Sequence, residues 1–442
     1  MQGGGQLLSF SLSKYHEALS SSDFIVRYGK ISQVVGLTIE AVGPSVSIGE
    51  LCSVSTNNSA ELLCEVVGFK DNKVLLMPLG EMSGIAPGSK VTALNETLTI
   101  SVGAELKGKV LNGLGQPIDQ SFLSLSNEKY PVFNKPPHPL TRKRIMEPLE
   151  LGVKAIDGFL TIGKGQRIGI FAGSGVGKST LMGMIARNTK ADINIIALIG
   201  ERGREVREFL EKDLKEEGLK RSIVIVATSD QPALIRLKGA FVATAIAEYF
   251  RNQGKDVLLL MDSLTRFAMA QREVGLAVGE PPVSRGYTPS VFALLPKLLE
   301  RAGNSERGSI TGLYTVLVDG DDLTEPVTDA ARGILDGHIV LSRSLANKNH
   351  FPAIDILSSI SRVMPDIITQ EHKTLANQIK KVMAIYKESE DLINIGAYVK
   401  GSNPKIDYAI DVIDRINEFL QQEVHEPVTY AEVLELMGSI LT

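Results

Sequence analysis

Residues 172–179 read AGSGVGKS, and they carry the most specific chemistry in the chain. The order small-x-x-x-x-Gly-Lys-Ser is that of a loop built to hold phosphate, with Ala172 standing where a glycine is usual. Ala172 closes the apolar run 167–172, so that exchange is small. Glycines let a backbone curl until several N–H groups point inward at phosphate oxygens. The helical run at 180–188 would add the positive end of its dipole. Gly173, Ser174, Gly175, Val176, Gly177 and Thr180 are therefore expected to cradle a nucleoside triphosphate, ATP. Lys178 would neutralise its β- and γ-phosphates, and the Ser179 hydroxyl would hold Mg²⁺.

Two further segments fit phosphoryl chemistry. Residues 257–262 (VLLLMD) form a buried apolar run ending in an acid. Downstream of a phosphate loop, Asp262 is expected to hold Mg²⁺, directly or from behind another ligand. Residues 200–205 (GERGRE) follow the apolar run 193–199. Ligand chemistry in open α/β sheets sits at the carboxyl ends of strands, which places Glu201 to orient or deprotonate the attacking water. The charges after Arg202 read as a solvated helix start.

The rest of the composition narrows the class. A formal net charge of -4 argues against a wholesale nucleic-acid binder. The six histidines show no metal-ligand spacing, so no transition metal is expected. Cys52 and Cys64 form no CxxC and read as buried small hydrophobes in a reducing compartment. Residues 1–6 do not read as a secretory signal, and no apolar window approaches the ~18–20 residues that cross a bilayer. A cytoplasmic protein is expected.

These chemical residues need elements to position them. Residues 7–22 carry Leu8, Leu12, Tyr15 and Leu19 near helical spacing. That helix would either pack on its own domain or dock a partner. From about 24 to 94, short β-branched runs at 29–35, 37–42, 51–54, 62–68 and 73–78 alternate with Gly and Pro breaks, the texture of a small antiparallel barrel. Residues 96–150 read as a connection, with a strand and tight turn at 108–119 and a stiff KPPHPL stretch at 135–140. From about 145 to 363, apolar runs at 167–172, 193–200, 222–228, 257–262 and 313–318 alternate with helical patterns. They predict a parallel sheet covered on both faces. From 366 onward the pattern is helical, most clearly at 379–390 and 405–423.

Residues 352–362 (PAIDILSSISR) resemble the signature of the rotary and export ATPases related to the catalytic subunit of ATP synthase. The phosphate loop, GER at 200–202 and DSLTRFA at 262–268 fall in that family's order and spacing, and the resemblance runs from about residue 25 to 420. Within the family, residues 271–282, 289–303 and 391–406 are similar to type III protein-export ATPases. The GAYVKGSNP stretch (396–404) favours the flagellar branch over the injectisome branch.

The resemblance implies an α/β fold: a RecA-like P-loop core with a parallel sheet, a small N-terminal β-barrel before it and a C-terminal helical domain after it. The implied boundaries are 1–24 for a partner-docking segment, 25–95 for the barrel, 96–365 for the ATPase domain and 366–442 for the helices. It implies that Arg202 and Arg266 line the phosphate pocket, that Phe351 packs on adenine, and that Arg362 is an arginine finger reaching a neighbour's site. With Glu201 and Arg362 on one chain, a head-to-tail homohexamer would complete every site. Implied partners are a stator-like regulator at the N-terminal segment, a central stalk protein near the loop 275–288, and export chaperones with their substrates. The implied location is peripheral to an export gate on the cytoplasmic face of the inner membrane. Three alternatives stay open: an RNA-translocating hexamer, a non-catalytic nucleotide-binding subunit, and a subunit of an ion-pumping ATPase. The barrel's few aromatics and cations disfavour the first, and the presence of Glu201 disfavours the second.

Overall fold

Six short strands with alternating inward residues close on themselves in the N-terminal part of the computed structural model. They are β1 (Tyr28–Val35), β2 (Thr38–Val42), β3 (Glu50–Ser55), β4 (Glu61–Lys70), β5 (Lys73–Pro78) and β6 (Lys90–Thr97), in the barrel order β1-β2-β5-β4-β3-β6. Residue 12 and residues 27–57, 60–118, 128–318, 322 and 324–441 are described. The helix expected at 7–22 lies outside them, save for Leu12.

Period-two alternation sends Ile31, Ile39, Val54, Val66, Leu76 and Val91 into the barrel's own core. Closure leaves no unpaired edge, which a free sheet of this size would have to protect. Beyond the five expected runs, a sixth strand, β6, pairs with both β1 and β3 and supplies the closure. Cys52 and Cys64 face each other across β3 and β4, fully buried. Burial pushes their thiols up to about 11 and about 12, so they behave as small hydrophobes.

The chain divides into two compact units between Thr97 and Leu98. The second unit is built on a nine-stranded sheet. Its members include β7 (Val110–Asn112), β8 (Arg167–Ala172), β9 (Ile193–Ile199), β10 (Ser222–Ala227), β11 (Asp256–Asp262), β12 (Ser309–Leu317), β13 (Gly337–Leu341) and β14 (Ile354–Ser361), in the order β14-β13-β8-β12-β11-β9-β10-β7. The path from β13 to β7 is parallel, while β14 runs antiparallel on the edge. All seven residues of β9 are buried, as expected of a strand covered on both faces. The five apolar runs expected as strands are all present. The strand expected at 108–119, in what read as a connection, is present at 110–112 and forms the far edge of this sheet.

Helices cover the sheet. The ones that bear on the site are α1 (Lys178–Asn188), α2 (Ala233–Asn252), α3 (Leu264–Ala277), α4 (Pro289–Leu299) and α5 (Pro326–Ile334). After the sheet come α6 (Gln370–Asn394), α7 (Pro404–Leu420) and α8 (Tyr430–Ile440). A capping box between Thr429 and Glu432 starts α8 and fixes where that helix begins. Val412, Ile416 and Phe419 of α7 and Met437 of α8 join one continuous core with Phe159, Met182 and Ile354. The C-terminal helices are therefore tied to the sheet by shared burial, and the end of α7 lines a cleft with the phosphate loop.

Candidate active site

The parallel register gathers the chemistry at one edge. Ala172 pairs with Leu317 on one side and Leu341 on the other, while Leu198 pairs with Asp262. The loops that leave β8, β9 and β11 therefore emerge together at the carboxyl ends of the strands.

The phosphate loop turns through Gly175 (φ 78) and Gly177 (φ 85), backbone angles that side chains rarely tolerate. Gly177 caps α1, so Lys178 is the first helical residue and the free N–H groups of the first turn face the loop. Lys178 donates to Oδ1 of Asp262 at 2.5 Å. The same oxygen accepts from the hydroxyl of Thr315 on the intervening strand β12 at 2.6 Å. The Asp262 side chain is only 5% exposed, so these two donors offset the cost of burying its charge.

Glu201 stands 3.8 Å from the Lys178 ammonium, and its Oε1 is buried with no hydrogen-bond partner among the described residues. Burial, reinforced by the charge of Asp262 and opposed by Lys178, raises its carboxyl from 4.5 to about 7. Such a group takes a proton near neutral pH, as a general base must. Sequence reasoning missed Glu205, which shares a hydrogen bond with Glu201.

Arg266 approaches from α3. Its aliphatic chain lies on Gly200, where an added Cβ would meet the arginine Cβ at 2.7 Å. Its Nε is buried without a partner among the described residues, and Nη1 reaches only the Met269 sulfur, 3.7 Å away. A half-buried guanidinium with a buried, unsatisfied Nε is suited to an incoming anion. Arg202 behaves differently: its side chain is 74% exposed and rests on Glu205 at 3.5 Å. The structure thus brings Lys178, Glu201, Asp262 and Arg266 together and leaves Arg202 pointing outward.

Phe351 projects over the phosphate loop from the turn before β14. A Cβ built on Gly177 would touch its ring at 3.4 Å. The ring is 40% exposed and lines a cleft of about 750 Å³ with Gly175, Thr180, Asn349 and Gln421. An exposed aromatic beside a phosphate loop is suited to a flat base. Its carbonyl accepts from the Gln422 backbone N–H at 3.0 Å, and the Gln422 side chain bonds Lys154 N and Gly152 O. That glutamine at the end of α7 fixes Phe351. Nothing in its surrounding sequence marked it.

Arg362 lies at the other edge of the sheet. Its backbone N–H bonds Asp336 O, and the Asp336 N–H bonds Arg167 O at the start of β8. The whole of β8, roughly 20 Å at ~3.3 Å per residue, separates Arg362 from the phosphate loop that follows Ala172. Its side chain cannot reach its own phosphate site.

Ser179 is exposed at the mouth of the loop, one residue after Lys178. Among the described residues no group of three or more His, Cys, Asp or Glu forms a dedicated metal cage. One hydroxyl and one carboxylate form an all-oxygen set that suits Mg²⁺ arriving with a triphosphate, which supplies the remaining oxygens.

Comparison with known proteins shows the family of the chain. A family model described as the nucleotide-binding domain of the ATP synthase alpha/beta family matches residues 152–361, and the beta-barrel domain of the same family matches residues 31–95. A model described as the T3SS EscN ATPase C-terminal domain matches residues 368–439. The chain is 56% identical over 426 residues to a flagellum-specific ATP synthase of Bacillus subtilis, covering 96% of this chain and 97% of the relative. It is 50% identical to a type 3 secretion system ATPase of Xanthomonas euvesicatoria, covering 94% of each. Among solved structures, the assembled ATPase EscN of the enteropathogenic E. coli type III secretion system aligns with a TM-score of 0.89 at 48% identity, over 94% of this chain and 100% of that one. EscN in complex with its central stalk EscO aligns at 0.87 and 47% identity, with the same coverage.

Proposed function

The chain belongs to the ATP synthase alpha/beta family, among its type III export ATPases, and from that premise we propose that it works as a head-to-tail homohexamer energising flagellar protein export. ATP hydrolysis is its activity. One observation carries the ring: Lys178, Glu201 and Asp262 share the carboxyl edge of the sheet, while Arg362 sits on the opposite edge of the same chain.

In this reading Lys178 and the N–H groups at the start of α1 bind the β- and γ-phosphates. Arg266 takes a phosphate oxygen with its Nε, which has no partner among the described residues. Ser179 and Asp262 hold Mg²⁺, which neutralises phosphate charge when bound. Ionised Glu201 accepts a proton from water as that water's oxygen bonds the γ-phosphorus. The bond from that phosphorus to the β-phosphate oxygen then breaks, and ADP leaves. Arg362 from the next copy stabilises the charge on the transferred group, an effect worth about 10³–10⁵ in rate in other phosphate-loop enzymes. Phe351 stacks on the adenine.

The complex of EscN with a central stalk supports a stalk partner for this chain. The Gly- and Pro-rich segment 275–288, which starts in the last turn of α3, is proposed to meet it. Chaperone–substrate complexes are assigned to the C-terminal helices and a stator-like regulator to residues 1–24. No helix among the described residues is long and apolar enough to cross a membrane. The proposed location is cytoplasmic, peripheral to an export gate.

Expression in a flagellated bacterium deleted for its own export ATPase tests the flagellar assignment. Wild-type chain should restore filament-protein export and motility, and Lys178→Ala should not. Rescue of injectisome secretion with no rescue of motility would move the assignment to that branch.

A further inference from the structure

Arg362 is held by the end of a helix whose other end is tied to a distant loop. Its Nη1 donates to the carbonyl of Leu335 at 3.2 Å and its Nη2 to that of Arg332 at 3.5 Å. These carbonyls belong to the C-terminus of α5, where helix carbonyls lack partners and carry partial negative charge. A guanidinium is the natural occupant of that position.

At the other end of α5, Pro326 is the first helical residue and Glu325 the cap. Glu325 pairs with Arg285 at 3.3 Å, and Asp322 pairs with the same guanidinium at 3.0 Å. Arg285 belongs to the loop between α3 and α4. It has φ 45, a left-handed conformation uncommon for a side-chain-bearing residue, so its direction is set by the loop. Between the two ends, α5 buries Val327, Thr328 and Ala331, and its nine residues span roughly 13 Å at 1.5 Å per residue.

We propose that Arg285 is a positioning residue for Arg362, acting through α5 as a rigid strut. This rests on the reading of Arg362 as a finger for the neighbouring site. A short helix packed along one face moves as a unit, so a shift of its N-terminus carries the Arg332 and Leu335 carbonyls with it. The finger follows its carbonyls. The ion pairs of Arg285 are about half exposed, and exposed pairs contribute little to stability. They are accordingly easy to exchange. A partner presenting its own carboxylates to the loop would draw Arg285 off Asp322 and Glu325 and release the strut. The loop 275–288 then reports contact at its surface to a catalytic group at the far edge of the sheet.

The test is steady-state Mg²⁺-ATPase of the full chain at concentrations where specific activity has reached its plateau. Arg285→Ala should lower kcat by roughly threefold to thirtyfold and leave KM for ATP and the unfolding midpoint unchanged. Arg285→Lys, or the swap Arg285→Glu with Glu325→Arg, should recover most of the loss. In an Arg362→Ala background, Arg285→Ala should cause no further loss. An equal loss in both backgrounds, or a change in KM alone, would overturn the strut. Loss of kcat in Arg362→Ala with full activity in Arg285→Ala would overturn the strut and leave the finger standing. Full activity in Arg362→Ala would remove the finger and this proposal together.

Discussion

The ammonium of Lys178 lies 2.5 Å from Oδ1 of Asp262, although 84 residues separate them in sequence. The contact joins the loop after β8 to the end of β11, across the strand β12 that lies between them. Thr315, on that middle strand, donates to the same oxygen. Three strands thus converge on one carboxylate oxygen, and the site is an outcome of sheet order.

Thr315→Val should separate the two roles of this convergence. It preserves shape and deletes one donor to a buried carboxylate, a loss of about 1–3 kcal/mol in urea unfolding. Because Asp262 then rests on Lys178 alone, kcat should also fall. Unchanged stability and activity would show that Thr315 is a bystander.

The pH profile follows from Glu201. Its carboxyl is raised from 4.5 to about 7, chiefly by burial, so it is protonated and inactive as a base below neutrality. Wild-type kcat/KM should fall on the acid side with a midpoint near 7. Glu201→Gln should be about 10²–10⁴-fold slower and lack that limb. A wild-type limb near 4.5 would contradict the assignment.

The same shift has a stability consequence of opposite direction. A carboxyl raised on folding favours the folded state below 4.5, and that contribution is lost as pH rises through 7. Glu201→Gln should therefore stabilise the protein at pH 8 by up to about 3 kcal/mol and leave it little changed at pH 4.5. Urea midpoints of the two proteins at each pH check this.

Gly200 and Arg266 form a second sensitive contact. Gly200→Ala places a side chain at φ 73 and 2.7 Å from the Arg266 Cβ. The backbone term alone costs about 1–3 kcal/mol. Displacement of the guanidinium should lower kcat by up to about 10²-fold. Stopped-assay kinetics with a folded, nucleotide-binding variant would read it.

Phe351→Ala should raise the KM for ATP about tenfold, since stacking on a base contributes about 1–3 kcal/mol, with kcat nearly kept. Phe351→Tyr should behave as wild type. A fall in kcat at unchanged KM would place the ring elsewhere in the cycle.

The local parts of the site were legible in the sequence. A phosphate loop is contiguous, and Glu201 and Asp262 each end an apolar run, so their position at a strand's carboxyl end could be inferred. Thr315 was hidden inside the apolar run of β12, where one hydroxyl carries no pattern, and Gln422 sits in a polar helix end that reads as solvated. The strand β14 carried no strand signal because its edge position leaves three of its eight residues exposed and its sequence, IDILSSIS, mixes polar and apolar residues. The strand expected within 108–119 is present at 110–112, but three residues do not show from sequence that it joins the parallel sheet. Arg202 shows the converse: its motif suggested a pocket residue, while the helix that begins at Gly203 turns its side chain outward to Glu205.

A complete site needs two copies of the chain, and specific Mg²⁺-ATPase activity against protein concentration measures this directly, with assembly followed by light scattering on the same samples. Wild-type specific activity should rise as the ring assembles. Arg362→Ala should assemble at the same concentrations and stay at the low, unassembled rate. Specific activity that is constant through assembly, with Arg362→Ala equal to wild type, would contradict it.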